Sequence, residues 1–429
     1  MRIKNYVKYL LPKPNDRAFD KIAFYMFIYS IGGMIIPSSR LIGSVIAFFS
    51  YFMIFREALR ASSYKIPFSG PLKLLFIVFI ILDIYCVVIQ SFFKGEYMWG
   101  NEFLSFLSYF FALSEYYPAY LLPLLFFIHP REFSFKAILK LAPVVAIISA
   151  FGYLSNYKFI LMNAYNLSAD VDRFNFGQFS SFYNVAFCLF LVPFLKDKKR
   201  YLPIWILGLI TLLVTMIYAR RGDSLTNAVY LSFECFLFIY VRRSKFIKLA
   251  FIPVVIAVVS LSLYFVNSQS NGLFQLLNER GTQDTRAEVD EYFKKDMFNS
   301  NDLYFGRGLN GTYFCPQIYQ TPEGIESIKY RHTIETGFYH LILKGGLLYA
   351  LLYVIVLGIP SILGIFFSKN WVTRILGVWI MFSLFDLYPW GWPAFNVKFL
   401  IIWMGAVICA NHRLRSLNNN RICKLLNIS

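Results

Sequence analysis

Charge is what this sequence has little of. Asp, Glu, Lys and Arg make up 15% of the chain, whereas a soluble domain carries about 25%. With 58% hydrophobic and 20% aromatic residues, an ordinary soluble globule is excluded and a polytopic membrane protein is indicated. Cysteine is also sparse. The six cysteines are scattered and Cys315 alone falls in the longest polar stretch, which excludes a disulfide framework and a cysteine-rich zinc site. No HExxH pattern, Walker motif or dinucleotide fingerprint occurs, so ATP-driven or metal-dependent chemistry draws no support and no cofactor is expected. No small-residue cleavage site follows the opening MRIKNYVKYLLPKPNDR, so the first span is expected to stay as an anchor.

What the sequence does have is long apolar runs, at about 20–38, 41–56, 72–93, 103–128, 138–154, 179–195, 201–218, 224–241, 247–266, 336–367, 371–388 and 396–411. They predict an all-α polytopic membrane protein with about twelve spans. The net charge of +18 resides mostly in short basic clusters between these runs, which argues against nucleic acid and for loops facing anionic headgroups. The N-terminal segment, Arg56 to Lys65, Arg131 to Lys140, Lys196 to Arg200, Arg242 to Lys248 and the tail after Arg413 are the basic connections. They alternate with less basic ones and predict both termini in the cytoplasm. The division expected is spans one to nine over 1–266, a large periplasmic loop over 267–335, and the last three spans with a basic tail over 336–429.

Arginine is unusual on the non-cytoplasmic side, so the arginines there are the first candidates. Arg220 and Arg221 end an apolar run, Arg280 and Arg286 lie in the long loop, and Gly306-Arg307-Gly308 makes a turn whose amides suit a phosphate oxygen. Each has a plainer explanation, as a snorkelling side chain or as half of a surface ion pair. Val289, Phe293 and Met297 recur at four-residue spacing, which predicts an amphipathic helix lying on the membrane or capping the spans. The loop closes with Arg331-His332-Thr333-Ile334-Glu335. His332 there suits a general base near neutral pH, and His340 lies about two turns further in. Asp83, Glu115, Glu234 and Asp386 fall inside apolar runs, where a carboxylate is costly and calls for a partner or a proton path. Tyr388, Trp390 and Trp392 are read as membrane-belt aromatics.

This arrangement resembles the bacterial O-antigen polymerase and O-antigen ligase superfamily. The resemblance rests on the topology, on Thr285-Arg286 before a helix, on Leu303-Tyr304-Phe305-Gly306-Arg307-Gly308, and on His332 opening HTIETGFYHLILKGGLLYALLY. Lys344-Gly345-Gly346-Leu347-Leu348 is similar to the family's glycine-leucine element. Ligases of the family place asparagine after the histidine, whereas Thr333 stands here, which tilts the reading to a polymerase.

The resemblance implies an inner-membrane glycosyltransferase with its site on the periplasmic face. Its substrate would be an undecaprenyl-diphosphate-linked oligosaccharide. His332 would activate a sugar hydroxyl, Arg286 and Arg221 would act with it, and Arg220, Arg280, Arg307, Arg331, Glu335 and His340 would bind substrate. Membrane lipids and a chain-length regulator are the partners implied. An O-antigen ligase, a flippase or exporter of the same lipid-linked sugar, and a non-catalytic scaffold stay open as alternatives.

Overall fold

The structure is a computed structural model, and it describes residues 13, 15–36, 39–63, 68, 70–89, 117–155, 187–195, 197–217, 221–241, 287–321, 324–388 and 391–428. These residues are mostly helical, and five helices are long and apolar enough to cross a membrane: Leu41–Ala61, Pro71–Val88, Lys136–Leu154, Lys199–Met216 and Gly337–Phe366. The chain is an α-helical membrane protein. In chain order the helices are α1 (Ala18–Ile35), α2 (Arg40–Ala61), α3 (Pro71–Ile84, continued by a wider turn to Ile89), α4 (Tyr117–Leu121), α5 (Lys136–Ser155), α6 (Phe187–Leu191), α7 (Leu202–Ile217) and α8 (Arg221–Val241). Then come α9 (Ala287–Phe298), α10 (Asp302–Phe305), strands β1 (Tyr313–Thr321) and β2 (Gly324–Arg331), α11 (Gly337–Phe366), α12 (Trp371–Asp386), α13 (Val397–Ala410), α14 (His412–Ser416) and α15 (Asn419–Leu425). The predicted run 247–266 lies outside the described residues.

The contacts divide the chain into two compact units that interleave along the sequence. One comprises residues 1–30, 134–284 and 420–429. Here the Asp20 carboxylate accepts from the Ala137 amide at 2.9 Å, satisfying a first-turn donor of α5 that would otherwise be orphaned. Lys136 pairs with Asp16 at 2.5 Å. The α7–α8 pair packs beside α5 and α6 through apolar side chains such as Leu207, Val214, Phe190 and Leu237, all buried.

The other unit comprises residues 31–133 and 285–419. Its core is aromatic: Phe79, Tyr349, Tyr353 and Trp403 pack ring on ring at 5.2–6.5 Å. Asn370 and Asn396 accept from the amides three residues on, at 2.8 and 3.1 Å, and so cap α12 and α13. The Asn370 amide also donates to the Leu414 and Leu417 carbonyls at 3.1 Å. This ties the α11–α12 turn to the chain leaving α13.

The predicted amphipathic helix is α9, and its face is the one foreseen: Phe293 and Met297 are buried. That face packs on protein. Phe293 meets Tyr313 of β1 at 5.5 Å and stacks on Tyr339 of α11 at 5.0 Å. The all-α expectation missed the antiparallel hairpin, whose register pairs Tyr313 with Arg331 and Thr321 with Gly324. Alternation in Tyr313, Cys315 and Phe314 is the period-2 signal of a strand; Tyr313 and Cys315 are buried and Phe314 is exposed.

Candidate functional site

The Gly306-Arg307-Gly308 turn and the Lys344-Gly345-Gly346 element meet at one place, a break in α11. That helix has 30 residues, about 45 Å at 1.5 Å per residue, which exceeds the ~30 Å hydrocarbon core. It is interrupted at Gly346, whose backbone sits at φ 77°, ψ 178°, a conformation open in practice to glycine alone. A break frees carbonyls that must find donors elsewhere. The Arg307 amide donates to the Leu343 carbonyl at 2.8 Å and the Gly308 amide to the Lys344 carbonyl at 2.9 Å. In return the buried Lys344 ammonium donates to the carbonyls of Leu309 and Gly311, both at 2.9 Å. The Gly-Arg-Gly turn and the Lys-Gly-Gly element are therefore two halves of one latch.

Arg307, expected to meet a phosphate, is committed to this turn. Its Nε donates to Asp302 at 2.7 Å, its Nη1 to Asp296 at 2.6 Å and to the Thr312 carbonyl at 2.8 Å, and its Nη2 to Asp296 at 3.2 Å. Burial alone would push Asp296 up, but the bonds from Arg307 and the Phe314 amide outweigh it and hold the carboxyl below its ordinary value. Burial likewise works against the Arg307 charge, and the two carboxylates raise its pKa in spite of that.

His332 follows β2 directly and is buried, while Arg331, the last residue of β2, and Glu335 are half-buried. The segment between β2 and α11 is fixed from several sides. The Tyr313 hydroxyl donates to the Thr333 carbonyl at 3.4 Å, and the Thr336 hydroxyl donates to Asp290 of α9 at 3.3 Å. Burial raises the Tyr313 phenol, Asp290 adds to that, and the Arg331 charge opposes it. His340 stands one turn into α11, its amide bonded to the Thr336 carbonyl at 3.0 Å. Its ring is 2% exposed and stacks on Trp392 at 5.0 Å and 29°. Neither ring nitrogen has a hydrogen-bond partner among the described residues. Trp392 was read as a belt aromatic; it is buried, whereas Tyr388 is fully at the surface.

The helices beside the site are short. Helix α12 has 16 residues and α13 has 14, about 24 and 21 Å long, so both stop short of a ~30 Å core. The start of α11 meets their ends there: the Phe338 amide donates to the Leu387 carbonyl at 3.2 Å, and Gly337 lies against Gly391 and Leu387 so closely that a Cβ would come within 2.9 Å. The first part of α11 thus folds back from the break toward the shorter helices. At the same level Lys398 pairs with Asp386 at 2.5 Å.

Two of the intramembrane acids have partners among the described residues. Asp386 has Lys398, and Asp83 accepts from the Tyr349 hydroxyl at 2.9 Å. Glu234 is buried with neither oxygen hydrogen-bonded among the described residues. Glu115, Arg220, Arg280 and Arg286 lie outside the described residues, and Arg221 opens α8. The structure thus places Arg331, His332 and Glu335 in the segment that leads into α11, His340 one turn into that helix, and Arg307 at its break. Sequence reasoning did not single out Asp290 or Tyr313, read Trp392 as a belt aromatic, and took Lys344 only as part of the glycine-leucine element. Lys344 carried a further signal, as a lysine inside an apolar run four residues after a histidine. No protein-family model, curated protein or solved structure matches this chain.

Proposed function

We propose that the protein is a polymerase of lipid-linked glycan repeat units, a metal-independent glycosyltransferase of the bacterial inner membrane with twelve spans, cytoplasmic termini and its site on the periplasmic face. The observation that carries this reading is the set of polar side chains at the start of α11. There His332 follows Arg331 directly, and His340, buried with neither ring nitrogen bonded among the described residues, stands one turn into α11, at the end of helices too short to fill the membrane. A site at that level suits a substrate whose lipid tail stays in the bilayer while its sugars project from it.

In the reaction proposed, a hydroxyl of the incoming repeat unit attacks the anomeric carbon of the growing chain. The bond from that carbon to the diphosphate oxygen breaks, the electron pair leaves with undecaprenyl diphosphate, and the hydroxyl proton passes to His332. Direct displacement of this kind inverts the anomeric centre. His340 and Glu335 orient sugar hydroxyls, with the Trp392 ring fixing His340. Arg331 meets negative charge near the reacting centre, as a guanidinium fork can do bidentately. The resemblance assigns charge stabilisation on the diphosphate to Arg220, Arg221, Arg280 and Arg286. Arg307, paired with Asp296 and Asp302, holds the site's frame.

The test is glycan length on gels from a polymerase-deficient host carrying wild type, His332→Ala or Arg286→Ala at matched expression. A wild-type ladder that collapses to single repeat units in both variants supports the assignment. Full ladders from the variants sink the roles given to these residues. Restoration of glycan attachment in a ligase-deficient strain, without a ladder, replaces the polymerase with a ligase.

A further inference from the structure

Helix α11 changes surroundings at its break. From His340 to Gly346 every residue is buried, whereas Leu348, Leu351, Ile355, Ile359 and Ile362 are exposed. Their three- and four-residue spacing places them on one face, and on an apolar helix of spanning length that face is covered by lipid. The stretch from Leu347 to Phe366 rises about 30 Å, the thickness of the hydrocarbon core. Gly346 therefore marks the boundary between acyl chains and headgroups.

Helix α10 is clamped at that boundary. The Tyr304 carbonyl lies so close to Gly346 that a Cβ there would come within 2.2 Å of it. The two residues that end α10, Tyr304 and Phe305, are 55% and 51% exposed. Leu348, two residues past the break, begins the lipid-facing stripe. An aromatic pair fixed at this depth, one ring with a polar tip and one without, is the residue type that the interface favours.

We propose that Tyr304 and Phe305 seat the segment from α9 to β2 on the phospholipid leaflet it faces, Phe305 reaching the acyl chains and the Tyr304 hydroxyl staying among headgroups. The occupant is bulk phospholipid, because the pair continues a face that phospholipid already covers. The segment is then held twice, by its latch to α11 and by its aromatic edge in the leaflet. This holds whatever reaction the site performs.

The test replaces Tyr304, Phe305, Leu348 or Phe314, one at a time, with the photoreactive p-benzoylphenylalanine in the full chain. Each variant is reconstituted in vesicles of phosphatidylethanolamine and phosphatidylglycerol carrying a radiolabelled phospholipid. Phe314, exposed on the hairpin, is the control for an aromatic away from the break. On illumination, positions 304 and 305 should take up label at a yield comparable to position 348, with position 314 at background. Label at 304 and 305 no higher than at 314 overturns the proposal. So do crosslinks from 305 to a second copy of the chain in place of lipid, and equal labelling at 314 removes the localised seat.

Discussion

Gly346→Ala should undo the latch, and its cost can be worked from the structure. At φ 77°, ψ 178° an alanine pays about 1–3 kcal/mol of backbone strain. Its Cβ would stand 2.2 Å from the Tyr304 carbonyl oxygen, 2.3 Å from its carbon and 2.4 Å from the Phe305 nitrogen. These are backbone atoms, so no rotamer change relieves the clash. The chain relaxes only by withdrawing α10. That breaks the Arg307 and Gly308 amide bonds to α11 and the two Lys344 bonds, at about 1 kcal/mol each.

Losing those four bonds costs about 4 kcal/mol. Gly358→Ala in the same helix is the control, since the nearest atom to its Cβ is Leu384 Cδ1 at 3.8 Å. Removing a helical glycine there should stabilise by about 0.5–1 kcal/mol. Thermal unfolding in detergent would then shift in opposite directions for the two variants, and trypsin would cut at Arg307 in Gly346→Ala alone. Equal shifts, or a Gly346→Ala protein that melts with wild type and resists trypsin, would refute the latch.

The Asp296–Arg307 pair gives a pH dependence of definite sign. Asp296 has a folded pKa below its ordinary 3.8, so its contribution is complete above the unfolded value and is lost as pH falls through the folded one. Pepsin sensitivity between α9 and β1 should rise as pH drops below 3.8, and Asp296→Asn should be sensitive already at higher pH; a flat wild-type profile would contradict the assignment. Lys344→Met leaves the carbonyls of Leu309 and Gly311 without their donor and should destabilise by about 1–3 kcal/mol, read as a lower unfolding midpoint. Tyr349→Phe strands Asp83 in the bilayer and should also cost about 1–3 kcal/mol, whereas Asp83→Asn keeps an acceptor and should cost less; the reverse order would exclude the bond as drawn. His340→Phe preserves the ring stack on Trp392, so it should melt like wild type while shortening the glycan ladder, and a full ladder would remove His340 from the site.

Much of this was legible in the sequence where one physical signal dominated. The apolar runs at 41–56, 138–154 and 201–218 became α2, α5 and α7 with ends shifted by a few residues, because burial in lipid leaves little else for such runs to do. The face of α9 was legible for the same reason. The hairpin was not, since its strands carry polar residues and a proline and their pairing depends on α9 covering Tyr313. Arg307 looked like a ligand because a sequence shows a cation between two glycines and hides the two carboxylates that claim it. His340 was visible as a histidine in an apolar run, but its stack on Trp392 joins residues 52 positions apart, and no local pattern announces that. Arg331, His332 and Glu335 were adjacent in sequence and stay together in the fold.

The latch also explains why Gly306-Arg307-Gly308 and Lys344-Gly345-Gly346 occur in one chain. A continuous α11 would satisfy its own carbonyls but would run about 45 Å, leaving its first third outside the hydrocarbon with nothing to fold it back. Breaking the helix at Gly346 solves the length and creates two orphaned carbonyls at the membrane boundary. A glycine-flanked turn can approach closely enough to cover them. Gly306 lies so near Gly345 and Gly346 that a Cβ would stand 2.5–2.7 Å from their amides. The lysine then returns the favour to the turn's own carbonyls. Neither element is stable in this form alone, so the segment from α9 to β2 and the span that follows it must fold as one piece. The orientation of His332 and His340 is set by that joint folding. A loop hung on a straight helix would lack the contacts that hold these residues in one arrangement.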